Sequence, residues 1–155
     1  FDLNGNLNNY VGRGITKSVY PKYKAPAIPK DIIFNELYLN FDDDLIIVEG
    51  VFDAIKAGSN SVPILGSTIR EESKLFQKLL NYDTAVYMAL DPNASKKENR
   101  IMREMIKYGL EVYKIEVSPF NDVGEMTKED FQKRKLKAEI VTHDSLIRQE
   151  LNMVQ

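Results

Sequence analysis

Leu45-Ile46-Ile47-Val48-Glu49-Gly50-Val51-Phe52-Asp53 opens as a continuous apolar run rich in β-branched residues and closes on two acids around a glycine. The run reads as a strand buried on both faces, and the residues after Gly50 as a helix near 51–58. Working outward, Val62–Leu65, Thr84–Leu90 and Leu110–Val117 are the next strand candidates, with helices near 69–81 and 95–108 between them. Thr68-Ile69-Arg70-Glu71 and Ser95-Lys96-Lys97-Glu98 both have the form of capping boxes. Ile101, Met102, Met105 and Ile106 make an apolar stripe on the third helix, and Gly109 follows as its C′ residue. Such alternation predicts an α/β fold, a mostly parallel sheet flanked by helices. Thr127-Lys128-Glu129-Asp130 starts another helix, and 143–152 reads as a last one. Upstream, Asn4-Gly5 is expected to turn a hairpin between residues 1–3 and 7–13, a small β-rich extension. A stretch punctuated by Pro21, Pro26 and Pro29 follows it.

With 155 residues, 43% apolar and 28% charged, the chain suits one compact domain with a small appendage. The absence of cysteine excludes disulfides and any thiolate-held zinc within these residues. No apolar run approaches the roughly 20 residues needed to cross a bilayer, so no membrane is expected as a partner. The polar, Asn-rich start does not resemble a signal peptide, and a cytoplasmic protein is expected. Phe1 stands first, which leads us to expect a fragment of a longer chain.

Net charge is −2 and pI about 5.5, so the total does not announce a nucleic-acid binder. Its distribution says more. Residues 1–30 carry Arg13, Lys17, Lys22, Lys24 and Lys30 against Asp2 alone, whereas 31–50 carry six acids and no base. Lys128, Lys133, Arg134, Lys135 and Lys137 form a second basic cluster. A basic apron beside an acidic site is the arrangement that draws a polyanion toward bound metal ions; a set of solvated lysines is the plain alternative.

Polar chemistry collects where the strands end. The first candidate ends in Glu49-Gly50 with Asp53 four residues on from Glu49, the second in Gly66-Ser67-Thr68, and the third in Asp91-Pro92-Asn93. In parallel α/β sheets, ligands bind outside the carboxyl ends of the strands. Glu49, Asp53 and Asp91 would there share one rim, and hard oxygen ligands of this kind suit Mg²⁺ or Mn²⁺. Gly50 and Gly66 leave room for backbone to approach a phosphate or a metal shell. Each acid also has a simpler reading: Asp91 could cap the helix that follows it.

These residues resemble the Toprim family, shared by DnaG-type primases, topoisomerases, OLD-type nucleases and RecR-like proteins. Leu45–Asp53 is similar to its Glu-Gly motif in the primase form, Ile64–Thr68 to the primase Leu-Gly-Thr segment, and Tyr87–Ser95 to the Asp-x-Asp stretch. Asp2–Gly14, Pro21-Lys22-Tyr23, Ile33-Phe34 and Leu37-Tyr38 resemble the primase prelude, and Asn121–Met126 the segment after the last Toprim strand. The ordered set covers roughly residues 1–130.

The resemblance implies a Toprim-like sheet over 41–120, preceded by a hairpin and basic extended segment over 1–40 and followed by a helical extension over 121–155. It implies the catalytic core of a DNA primase, making short RNA primers on a single-stranded DNA template from nucleoside triphosphates. The catalytic residues would be Glu49, Asp53 and Asp91. The same three with Asn93 would hold Mg²⁺ or Mn²⁺. Arg13, Lys22, Lys24, Gly50 and Gly66 would meet nucleic acid or nucleotide. A replicative helicase is the expected protein partner, and a phage origin would put the chain in the host cytoplasm. Zinc-binding and basic domains of such primases would then lie upstream of Phe1.

Two departures stand out. Asn93 replaces the second Asp of Asp-x-Asp, and Ala94-Ser95 does not match the usual Ala-Gly. A Toprim nuclease or phosphotransferase remains an alternative, as does a non-catalytic nucleic-acid-binding module. His143 has no catalytic place in any of these and reads as an ordinary surface residue.

Overall fold

A computed structural model describes residues 1–16, 18–27, 31–66 and 68–152; Lys17, Pro29, Lys30 and Ser67, named above, lie outside the described residues. The turn at Asn4-Gly5 forms, with the Gly5 N–H donating to the Asp2 carbonyl (3.0 Å) and Gly5 at φ 79°. The hairpin expected around it does not. The Asp2 carboxylate accepts from the Asn4 and Asn6 N–H groups (3.0 and 2.8 Å), so a side chain satisfies donors that a ladder would otherwise need. The strand pairing moves downstream instead: β1 (Gly12–Arg13) runs antiparallel to β2 (Tyr23–Lys24).

The main sheet comprises β3 (Leu45–Val48), β4 (Ser61–Pro63), β5 (Val86–Ala89), β6 (Val112–Lys114) and β7 (Glu139–Ile140), in the order β4-β3-β5-β6-β7. The first four run parallel and β7 is antiparallel to β6. The strands are shorter than the apolar runs because central β3 offers only four partners. Past its end, pairing persists as single bonds such as Ile64 N–H to the Val48 carbonyl (2.9 Å).

Helices α1 (Val51–Ala57), α2 (Lys74–Tyr82), α3 (Ser95–Lys107), α4 (Lys128–Lys135) and α5 (His143–Asn152) cover the sheet. The two-residue period of the strands divides the core. Leu45, Ile47, Val86 and Met88 pack with Phe76 and Leu79 of α2, Met102 and Met105 of α3 and Leu146 of α5. Ile46, Val48 and Ala89 face the other way, onto Ala54 and Ala57 of α1 and Phe131 of α4. Each large side chain buried in this way contributes about 1.5–3 kcal/mol. Phe131 is the one buried residue of α4, so it anchors that helix.

Helix ends account for the remaining differences. Thr127 caps α4 as expected, accepting from the Asp130 N–H at 3.0 Å. Gly109 ends α3 at φ 88°, with the Gly109 and Leu110 N–H groups donating to the Ile106 and Met105 carbonyls. Neither predicted capping box forms. α2 starts six residues after Thr68, capped by Ser73, while Asp31 accepts from the Lys74 N–H at 2.9 Å. Burial of Ile69 holds the intervening stretch against the core rather than in helix. In α3 the carboxylate of Glu98 turns inward instead, accepting from the Leu90 N–H (3.2 Å) and pairing with Lys114 (3.0 Å), with 3% of the residue exposed.

Candidate functional site

The parallel register sets the site. Val48 lies opposite Pro63 on one side and Ala89 on the other, so β3, β4 and β5 end together. Glu49 follows β3 directly, and Gly50 is the N-cap of α1, which makes Asp53 its third residue. Asp53 is fixed from two directions: Oδ2 accepts from the Gly50 N–H (3.1 Å) and Oδ1 from the Gly124 N–H (2.9 Å). At both glycines a carboxylate comes closer than a Cβ would leave undisturbed. A Cβ on Gly50 would lie 2.8 Å from Asp53 Oδ2, and one on Gly124 would lie 3.1 Å from Asp53 Oδ1 and 3.2 Å from Asp122 Oδ1.

Asp91 follows β5 and the tight 3₁₀ turn Pro92–Ala94 begins after it, yet its side chain makes no capping hydrogen bond. Its reading as a helix cap is not realised. Burial first, then the charges of Glu49, Asp53 and Asp122, push its carboxyl up to about 6, against a smaller opposing effect of Lys97. Asp53 is also raised, chiefly by burial and then by Asp122 and Glu49, while its two backbone donors act the other way. Three predicted acids therefore feel one another, and a fourth, Asp122, joins them.

Glu49 is held differently on its two oxygens. Oε1 accepts from Lys97 of α3 at 2.5 Å, while Oε2 is buried without a hydrogen-bond partner. Such an orphan is costly unless something positive occupies the space beside it. Among the described residues, no group of three or more acidic or histidine side chains is arranged to hold a metal ion by itself. The arrangement nonetheless fits an open Mg²⁺ or Mn²⁺ position, since such ions keep much of their water and take one or two carboxylates. Glu49 and Asp91 have the free oxygens for it; Asp53 is already committed to two backbone donors.

The basic residues approach from the side. The Arg13 guanidinium lies 5.3 Å from the Phe52 ring centroid and 5.7 Å from that of Tyr23, and the two rings are 5.9 Å apart. Phe52 precedes Asp53, so this cluster docks the β1–β2 ribbon against the helix that carries the acid. The Lys22 ammonium lies 5.5 Å over Tyr23, and Lys24 is exposed on β2.

Asn93 is exposed on its 3₁₀ turn. Gly66 lies past β4 and lines a neighbouring cleft of about 520 Å³ with Asp31, Arg70 and Glu72. Lys97, Phe52, Asp122 and Gly124 were not assigned to the site from sequence. Gly124 is 71 residues from the Asp53 it contacts, beyond any spacing rule. Lys97 did leave a signal: two adjacent lysines in the first turn of a helix oppose its dipole and need a reason to be there.

Fold and site together define an α/β protein with a mostly parallel sheet, an acidic rim at its carboxyl edge and a basic ribbon beside it. No protein-family model and no curated protein matches the chain. Among solved structures it is similar to the primase of Aquifex aeolicus, in a crystal structure of the zinc-binding and RNA polymerase domains. The TM-score is 0.69 at 22% identity, over 90% of this chain and 39% of that one. The likeness shows a shared, primase-like fold, and this chain spans well under half of the neighbour's length.

Proposed function

We propose that this chain is the Toprim-type catalytic core of a DNA primase, using a divalent cation to join nucleoside triphosphates on a single-stranded DNA template. The observation that carries the reading is Glu49: its buried, unpartnered Oε2 sits at a strand end beside Asp91 and Asp53. The fold shared with a primase fragment supports it, as does the ordered resemblance along residues 1–130.

Glu49 and Asp91 would hold Mg²⁺ or Mn²⁺, with Asp53 fixing the height of α1 and of the 122–125 turn. A bound cation supplies Lewis acidity toward the 3′-hydroxyl and offsets triphosphate charge. The chain's own residues position and screen. The Arg13–Tyr23–Phe52 cluster holds a basic surface where a template backbone would pass, and exposed Tyr10 and Tyr20 offer stacking faces. No general base of the histidine type is called for, in keeping with His143 on the exposed first turn of α5.

Paramagnetic Mn²⁺ tests the site. Amide broadening should centre on residues 48–53, 90–92 and 122–124 and be lost in Glu49→Gln. Broadening confined to other residues would overturn the assignment. Primer synthesis on a single-stranded template, sensitive to the same substitution, tests the reaction.

A further inference from the structure

We propose that Lys97 is a phosphate-binding residue of this site, parked on Glu49 until a divalent cation takes that carboxylate, and then transferred to a phosphate oxygen. The inference rests on the acidic-site reading above and adds to it the group that meets the substrate anion.

The position of Lys97 calls for an explanation. It is the third residue of α3, beside Lys96, in the turn where the helix dipole opposes a cation. Its ammonium nevertheless reaches Glu49, 48 residues away, and both side chains are largely withdrawn from water, at 20% and 32% exposure. Glu49 also gives it only one oxygen. The second oxygen, Oε2, is buried with no partner, so the pair leaves an anionic acceptor open beside the ammonium for a further cation.

The charge balance around the pair points the same way. One ammonium faces Glu49, with Asp53, Asp91 and Asp122 close enough to act on one another. A divalent ion entering beside the free Glu49 oxygen competes with the ammonium for the same carboxylate. Once displaced, Lys97 still has a stem held by α3 and a charge that needs an acceptor. The phosphate oxygens of a cation-bound triphosphate supply it at that location. Ala94, the N-cap of α3, brings no side-chain oxygen to compete with the phosphate for the ammonium.

The proposal predicts effects of opposite sign from one substitution. Lys97→Gln should bind Mn²⁺ alone a few-fold more tightly, because the competing cation is gone. It should bind Mn²⁺ with ATP about ten-fold more weakly, the loss expected for one charged hydrogen bond. Lys97→Arg should stay near wild type in both. Glu49→Gln provides an independent readout: freed Lys97 should raise metal-free pyrophosphate affinity while Mn²⁺ binding falls. Calorimetry on the full chain, with circular dichroism to check folding, reads each of these affinities. If both affinities of Lys97→Gln are unchanged or fall together, or if Glu49→Gln does not gain pyrophosphate affinity, Lys97 is a structural counter-ion and the proposal fails. If the wild-type chain itself binds neither Mn²⁺ nor Mn²⁺ with ATP, the acidic-site reading fails, and this proposal with it.

Discussion

Removing the charge of Asp91 should stabilise the cation-free protein while damaging its site. The carboxyl makes no capping bond and faces Glu49, Asp53 and Asp122, and with burial these raise it from 3.8 to about 6. A shift of that size corresponds to about 3 kcal/mol if fully expressed. The side chain is only partly buried, so solvent screening should leave about 1 kcal/mol. The sign follows from linkage. A carboxyl raised on folding contributes its stability below the unfolded value of 3.8 and loses it as pH rises through about 6. Asparagine cannot ionise, so in EDTA at pH 8 Asp91→Asn should be the more stable protein by about 1 kcal/mol, with a melting point roughly 2–4 °C higher. Toward pH 4 the two proteins should converge. Urea melts in EDTA at pH 4, 5 and 8 measure this directly. A variant no more stable at pH 8, or a gap that does not change with pH, would refute the electrostatic account. Mn²⁺ affinity should fall in the same variant, as expected where function keeps an unfavourable group in place.

Other substitutions address the surrounding parts. Gly124→Ala puts a Cβ against the carboxylates of Asp53 and Asp122, so urea melts should show a loss of about 1–2 kcal/mol as a charged hydrogen bond is broken. Arg13→Ala with Lys22→Ala should weaken single-stranded DNA binding and lower the salt slope by about 1.4, the value for two phosphate contacts; an unchanged slope would make the ribbon a solvated face. Phe52→Ala should speed amide exchange at Gly12–Arg13 and Tyr23–Lys24 while leaving β3 and β5 protected, because the ribbon loses the ring on which it docks. Asn93→Asp adds a charge on an exposed turn next to Asp91 and should tighten Mg²⁺ by about two- to five-fold, the range for a screened pair. Equal calorimetric affinities would place Asn93 outside the site.

What could be read from the chain alone depended on local periodicity and on strand ends. Leu45–Val48 announced the central strand because four buried residues in a row suit only a sheet covered on both sides. Lys128–Lys135 and His143–Asn152 were legible as helices, the first from the Thr127 cap, and Gly109 marked the end of α3. Glu49, Asp53 and Asp91 could be proposed together because parallel strands of similar length end at one edge.

Tertiary structure alone decided the choices where two local options have similar energy. Asp2 could cap its own turn or leave a hairpin to form, and the cap won. Glu98 could box the start of α3 or enter the core, and the unpaired Leu90 N–H together with Lys114 drew it inward. β7 is two exposed residues that become a strand only because β6 offers an edge. The same holds at the rim. Gly124 reaches Asp53, Lys97 reaches Glu49 and Arg13 reaches Phe52 across separations that carry no sequence period. The composition of the acidic edge is thus a local property of the chain, whereas its partners depend on which distant backbone and side-chain groups the packed core brings within hydrogen-bonding range.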